Sequence, residues 1–400
     1  MKKIIPLLLC ISIVLSGCYG IDIDEQSFVI AVGIDKGKSY RVRTTFVFSN
    51  PIESGGEEKT STAAKSTDIV TIEAPSVFSA VRKLNYIKSK KINLTHTKLI
   101  VFSRELAKDG IGEFVDGFVS SHDFRPNTYV CISTNSADKF LRSAKPVQES
   151  FLEKYYDHII KKAASDKVNE SYLYYLHFNF SEKSSGSLVP LVGTNKNELP
   201  KETDLKTIES DDFSLNEKAG KILRKAENEA EFSGTAIFKD DKMVASLGSF
   251  YTDIARFIGN EFYPASYTFR IPSTGDFVTV KINQHSPPDI SAKLKNNNAH
   301  IKIKIPIELE YVDPLVVDTP KKSKEFTDYI TSVLNKKAKY LIKKTQDDYQ
   351  SDIFSLGDYL KRYFIDYKKW EKFNWKEKYK TAKIDVSFKI KYADYEEVNH

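Results

Sequence analysis

The run Leu99-Ile100-Val101-Phe102, helical spacing over Glu105–Val119, and the run Thr128-Tyr129-Val130-Cys131-Ile132 together decide the fold. Four successive apolar residues, bounded by polar ones, read as a strand buried on both faces. Leu106, Ile111, Phe114, Val115 and Phe118 then recur at about 3.6 residues, which predicts a helix. Upstream, Pro75 suits a helix start, with Val77, Phe78, Val81, Leu84 and Ile87 on one face. The strand-like runs Ser27–Ile34 and Tyr40–Phe48 flank Asp35-Lys36-Gly37-Lys38-Ser39, a loop with the glycine a hairpin wants. Strand, helix, strand, helix, strand in succession predicts a sheet carrying crossover helices.

Downstream, Pro146–Ala164 reads as a helix, Tyr172–Phe180 as an aromatic stretch of open type serving core packing, and Asn195–Glu231 as a polar segment with few apolar anchors. Phe232–Lys239 and Met243–Leu247 form a hairpin across Asp240-Asp241-Lys242, whose adjacent aspartates are expected to point into solvent. A short helix near Thr252–Ile258 precedes alternating segments Ser266–Ile271, Phe277–Ile282 and Ala299–Glu310, an antiparallel sheet in which Pro306 implies a bulge or an edge. Thr319–Lys344 is the longest helical pattern: Phe326, Ile330, Val333, Leu334, Leu341 and Ile342 share one face, and Lys336, Lys339 and Lys343 project away from it. A helix over Asp352–Phe364 and a strand over Thr381–Tyr392 complete the reading.

The N-terminus sets the compartment. Lys2 and Lys3 precede an apolar run from Ile4 to Leu15, the length of a signal-peptide core and too short to span a bilayer. Leu15-Ser16-Gly17-Cys18 reads as a lipobox, with cleavage between Gly17 and Cys18 and lipidation of the Cys18 thiol. Each buried CH₂ contributes about 0.8 kcal/mol, and two or more acyl chains anchor a protein stably. The expected organisation is therefore a signal peptide at 1–17, a tether at 18–26, an N-terminal α+β domain at 27–200, a polar linker at 201–231 and a C-terminal α+β region at 232–397, divisible at 295/296. The fold class is α+β and multi-domain, with mixed and antiparallel sheets packed with helices and a lipid-anchored N-terminus.

A net charge of +6, of which Lys2 and Lys3 leave with the signal peptide, is too small and dispersed to indicate nucleic-acid binding. Cys131 lies in a strand-like run and, with Cys18 acylated, has no partner for an internal disulfide, so it reads as a small buried hydrophobe. Asp22, Asp24 and Glu25 alternate but lack the turn glycine and ligand number of a calcium loop. The loop at Gly55-Gly56 lacks the pattern of a phosphate cradle. No catalytic or zinc motif occurs, and His96, His122, His158, His177, His285, His300 and His400 show no paired spacing. Catalytic, metal and cofactor-binding residues are accordingly expected to be none.

Several segments in order resemble one family: the lipobox at Cys18, Gly33-Ile34-Asp35, His96–Phe102 with Arg104-Glu105-Leu106-Ala107-Lys108-Asp109-Gly110-Ile111, Asn127-Thr128-Tyr129-Val130, Gly234–Lys239 with Asp241-Lys242-Met243-Val244, and Asp352-Ile353-Phe354-Ser355-Leu356-Gly357. They resemble the Ger(x)C lipoproteins, the C subunits of Ger-type spore germinant receptors. Family members often read Cys-Trp-Asp at the anchor, where Tyr19-Gly20-Ile21-Asp22 follows Cys18 here; the departure touches the tether only. The resemblance implies a non-enzymatic subunit on the outer face of the spore inner membrane, held there by its N-terminal lipid. It would act with integral-membrane A and B receptor subunits in the response to nutrient germinants, with room for indirect contact with the germinant. A lipoprotein that itself binds a small solute is the alternative, and a surface hydrolase the third reading.

Overall fold

The computed structural model describes residues 23–49, 68–145, 152–165, 171–182, 185–195, 216–260, 264–271, 273, 275, 277–312 and 319–390. A single 3-10 turn, Ile23–Glu25, leads into β1 (Gln26–Lys36), which forms a hairpin with β2 (Val42–Phe48). There follow β3 (Ile69–Ala74), α1 (Val77–Leu84), β4 (Lys91–Asn93), β5 (Leu99–Ser103), α2 (Arg104–Asp109), α3 (Gly112–Ser121), β6 (Tyr129–Ser133), α4 (Ala137–Ser143), α5 (Leu152–Ser165), α6 (Leu173–Glu182) and β7 (Ser187–Thr194). The next hairpin is β8 (Ala230–Lys239) with β9 (Lys242–Leu247).

These nine strands make one sheet in the order β3-β2-β1-β5-β6-β7-β8-β9, with β4 added beside the start of β1. Its middle, β1-β5-β6-β7, is parallel, as the alternation of strands and helices predicts. Every residue of β5 and β6 is buried, and the pleat sends them to two cores. Ile100, Phe102, Val130 and Ile132 meet Leu84 of α1, Leu106 of α2, Val115 and Phe118 of α3 and Leu173 of α6. Leu99, Val101, Tyr129 and Cys131 meet Phe140 and Leu141 of α4 and Tyr156 of α5. Each such side chain contributes roughly 1.5–3 kcal/mol by leaving water.

The second sheet follows α7 (Ser249–Gly259). Strands β10 (Ala265–Arg270), β11 (Phe277–Gln284), β12 (Asp289–Lys295) and β13 (Asn298–Tyr311) pair antiparallel in the order β10-β11-β13-β12. Helix α8 (Pro320–Lys344) continues through a π-helical turn, Thr345–Tyr349, to short helices α9 (Asp358–Lys361), α10 (Tyr367–Phe373) and α11 (Trp375–Tyr379). The last strand, β14 (Lys383–Ile390), lies parallel to β13. Ile301, Ile303, Ile305 and Ile307 of β13 point alternately into a core shared with Phe257 of α7, Phe326, Ile330 and Leu334 of α8, and Phe388 of β14.

Several expectations are corrected. The helix expected over Glu105–Val119 is two, because Gly110 takes φ +121. Helix α1 stops at Leu84, leaving Ile87 exposed. Tyr172–Phe180 is largely α6. The hairpin β8–β9 at 230–247, at the start of the expected C-terminal region, completes the first sheet, and Ala219 and Glu231 in the polar segment before it are buried. A division at 295/296 would cut the β12–β13 hairpin, since β12, β13 and β14 share one sheet. Pro306 lies in the central strand β13, not at an edge or bulge. Pairing to β12 ends at Lys304 and pairing to β11 begins at Ile307, so the missing N–H falls where the neighbour changes.

Candidate functional site

Gly17 and Cys18 lie outside the described residues. The first described residues place the tether's exit: Gln26 pairs with Lys91 of β4, so the chain enters the first sheet beside the turn that joins α1 to β4. That turn exposes Tyr86 (74%) and Ile87 (65%), with Lys90 and Lys91 also exposed.

The segments that resemble the family build joints within the fold. Asp35, at the far end of β1, is buried, and its carboxylate accepts hydrogen bonds from the N–H groups of Ala137 (2.9 Å) and Asp138 (3.0 Å) and from the Ser136 hydroxyl (3.2 Å). It thus satisfies the open donors at the start of α4. Gly33 lets that helix approach, since a Cβ there would stand 2.7 Å from Leu141 Cδ1. Asp241, expected to point into solvent, instead accepts from the Gly112 N–H (3.3 Å) at the start of α3, and its own carbonyl accepts from the Ile111 N–H (3.0 Å). Its neighbour Asp240 pairs with Lys376.

Asp352 begins no helix. Its buried carboxylate accepts from Trp375 Nε1 (2.8 Å), Gly357 N–H (3.0 Å) and Phe354 N–H (3.2 Å), which winds 352–357 into a closed loop in place of the expected helix. Burial raises its pKa above the ordinary aspartate value, against those three hydrogen bonds. The loop also ties the two sheets together: the Ser351 hydroxyl donates to the Phe238 carbonyl (2.8 Å) and the Gly186 N–H to the Asp352 carbonyl (2.8 Å).

Cys131 is fully buried, and burial pushes its thiol pKa up, so it acts as a packing residue and not a nucleophile. Lys336, Lys339 and Lys343 are exposed along α8. Among the described residues no group of three or more His, Cys, Asp or Glu is arranged to hold a metal ion, and no helix is long and apolar enough to cross a membrane.

A cavity of about 210 Å³ opens on the first sheet, lined by Arg104, Thr134, Asn135, Leu191, Lys218, Ala219, Gly220, Lys221, Met243 and Ser246. Arg104 directly follows β5 and Thr134 directly follows β6, so the cavity lies at the carboxyl ends of parallel strands, the usual place for a ligand in an open α/β sheet. Arg104 and Met243 fall in segments that resemble the family, but nothing in the sequence marks these residues as a site. Lys218 and Lys221 sit in the segment that reads as linker, and only the fold brings them to Arg104.

Two mixed sheets, joined by a buried-carboxylate loop, define an α+β architecture. Residues 20–194 match the family described as "Spore germination protein N-terminal domain" and residues 233–394 that described as "Spore germination B3/ GerAC like, C-terminal", and the chain belongs to the Ger(x)C family. It is 21% identical over 400 residues to spore germination protein KC of Bacillus subtilis (strain 168), spanning 93% of this chain and 89% of that protein. It is 26% identical over 146 residues to the putative spore germination protein YfkR of the same organism, spanning 36% of this chain and 37% of that one. The crystal structure of the GerBC protein superposes with a TM-score of 0.51 at 17% identity, covering 90% of this chain and 96% of that one, a likeness of fold.

Proposed function

We propose that this chain is the lipid-anchored C subunit of a nutrient germinant receptor, without enzymatic activity, assembled with integral-membrane A and B subunits. In this reading residues 1–17 are removed as a signal peptide, Cys18 carries the lipid, and the protein stands on the outer face of the spore inner membrane. Family membership supports the receptor assignment. The observation that carries the anchoring is the place where the chain enters the fold. Four residues separate Cys18 from Ile23, and the five steps between them reach at most about 18 Å; the chain then enters beside exposed Tyr86, Ile87, Lys90 and Lys91. Aromatic and apolar side chains backed by lysines suit a lipid–water interface. Tethering also raises the local concentration of the two sheets around membrane partners, so that modest contacts suffice for assembly.

The test replaces Cys18 with Ala in spores that carry no other copy, following membrane fractionation and the germination response together. Loss of both, with the protein still abundant, is the expected outcome. A soluble, abundant variant that germinates normally would remove the anchor from the mechanism.

A further inference from the structure

The geometry points to a binding site for a small organic anion, a carboxylate or phosphate ester, in the cavity where Arg104, Lys218 and Lys221 converge. Three cations line about 210 Å³ of space. No ion pair engages any of them among the described residues. Nearby carboxylates are committed elsewhere. Glu105 faces Lys36 (3.7 Å). Glu231 is buried and accepts from Arg224 Nε (2.7 Å), Asn195 Nδ2 (2.5 Å) and the Gly220 N–H (2.6 Å). Neither Glu217 nor Glu231 is among the described residues that line the cavity.

Lys218 Nζ donates to the Ser246 hydroxyl (3.0 Å) and has no charged partner to balance it. Burial, then the adjacent Arg104 and Lys221 cations, lower its pKa. Folding has gathered like charges at a recess, which is unfavourable unless an anion joins them. Thr134, Asn135 and Ser246 offer neutral hydrogen-bond donors, while Leu191, Ala219 and Met243 give one apolar wall, which suits an organic anion of a few carbons.

A membrane lipid headgroup carries the same chemistry, but the sheet sets the two apart. Gln26 marks the end of β1 where the chain enters, and Ile34 pairs with Phe102 near the other end. The nine steps from Gln26 to Asp35 span about 30 Å at ~3.3 Å per residue. The cavity therefore opens at the end of the sheet away from the anchor, toward a soluble anion. The choice of a soluble anion over a headgroup rests on the proposed anchoring, whereas the anion site itself does not.

The experiment follows thermal unfolding of the full mature chain in detergent, with sodium succinate or sodium phosphate against sodium chloride at matched ionic strength. Saturable stabilisation by at least one probe is expected. Arg104→Gln, at an exposed position, should weaken the apparent affinity about tenfold or more, the worth of a charge-assisted contact, and Arg104→Gln with Lys218→Met should abolish it. Lys218→Met alone should raise the unfolding midpoint in chloride, because it removes a crowded cation; a lysine kept for structure would lower it. Cys18→Ala should leave the anion response intact. Absence of a saturable response to both probes, or a response unchanged by Arg104→Gln, overturns the inference. Phosphatidylglycerol vesicles that bind the wild type but not Arg104→Gln, with both probes inert, would assign a lipid headgroup and overturn it as well.

Discussion

At Asp352 the local chemistry departs furthest from what its neighbours in sequence suggest. Asp352-Ile353-Phe354-Ser355-Leu356-Gly357 has the apolar spacing of a helix start, yet the carboxylate gathers donors from its own loop and from Trp375, 23 residues on. That capture is not visible in a local pattern, since it depends on where the indole arrives. It carries a pH signature. Burial outweighs the hydrogen bonds and raises the pKa, so the folded state holds the proton more tightly than the unfolded chain. The corresponding stability is complete below the ordinary aspartate range and is lost as pH rises through the raised folded value. Urea unfolding of wild type and Asp352→Asn at a series of pH values should show wild type gaining on the variant as pH falls from neutrality. The opposite slope would mean that the hydrogen bonds to the carboxylate dominate. Asp35 teaches the same lesson in milder form: Gly33-Ile34 was legible as the end of a strand and Asp35 as the start of a hairpin loop, whereas the strand runs on to Lys36 and the role of Asp35 as the cap of α4, a hundred residues later, was not legible.

Among the elements, β2, β8, β9 and α8 were readable because burial on one face leaves its mark on every second or every third and fourth residue, and β1, β5 and β6 because burial on both faces leaves a short continuous apolar run. Strand β12 was missed because its Ser291, Lys293 and Lys295 are exposed and only Ala292 is fully buried, which leaves little apolar signal. The packing of the polar segment was hidden for a related reason. A polar run such as Asn195–Glu231 looks like a linker whether its charges meet water or, as at Glu231 and Arg224, meet each other beneath a sheet. The loop at 350–357 that joins the sheets rests on a close approach: a Cβ on Gly186 would lie 1.9 Å from Ser351 Oγ and 2.8 Å from the Phe238 carbonyl. Gly186→Ala should therefore force the joint apart at a cost of roughly 1–3 kcal/mol, and amide exchange should quicken in 350–357 while β13 stays protected. Unchanged exchange in that loop would show that the contact is incidental.

For the molecule as a whole, orientation is the quantity that the chain's entry point controls. Tyr86 and Ile87 lie beside that entry, whereas Ile365, 91% exposed, follows the short helix α9 beyond the second sheet. In anchored protein on vesicles, an environment-sensitive fluorophore at position 87 should shift to the blue and be quenched by spin-labelled lipid. The same probe at position 365 should report water. Equal emission at both positions would show that the anchored protein does not rest on this end.

The hairpin β8–β9 has a further consequence. It lies after the polar segment in the chain, yet β8 completes the first sheet by pairing with β7 from Ser187↔Phe238 to Thr194↔Ala230. A protease that nicks the backbone between β7 and β8 should leave two fragments that stay interlocked, each supplying the strand that covers the other's open edge. Expressed separately, the same fragments would behave as a split protein, insoluble alone and restored on mixing. Removal of either half of this chain thus leaves the first sheet incomplete, and truncation phenotypes would report on the whole protein and not on a domain.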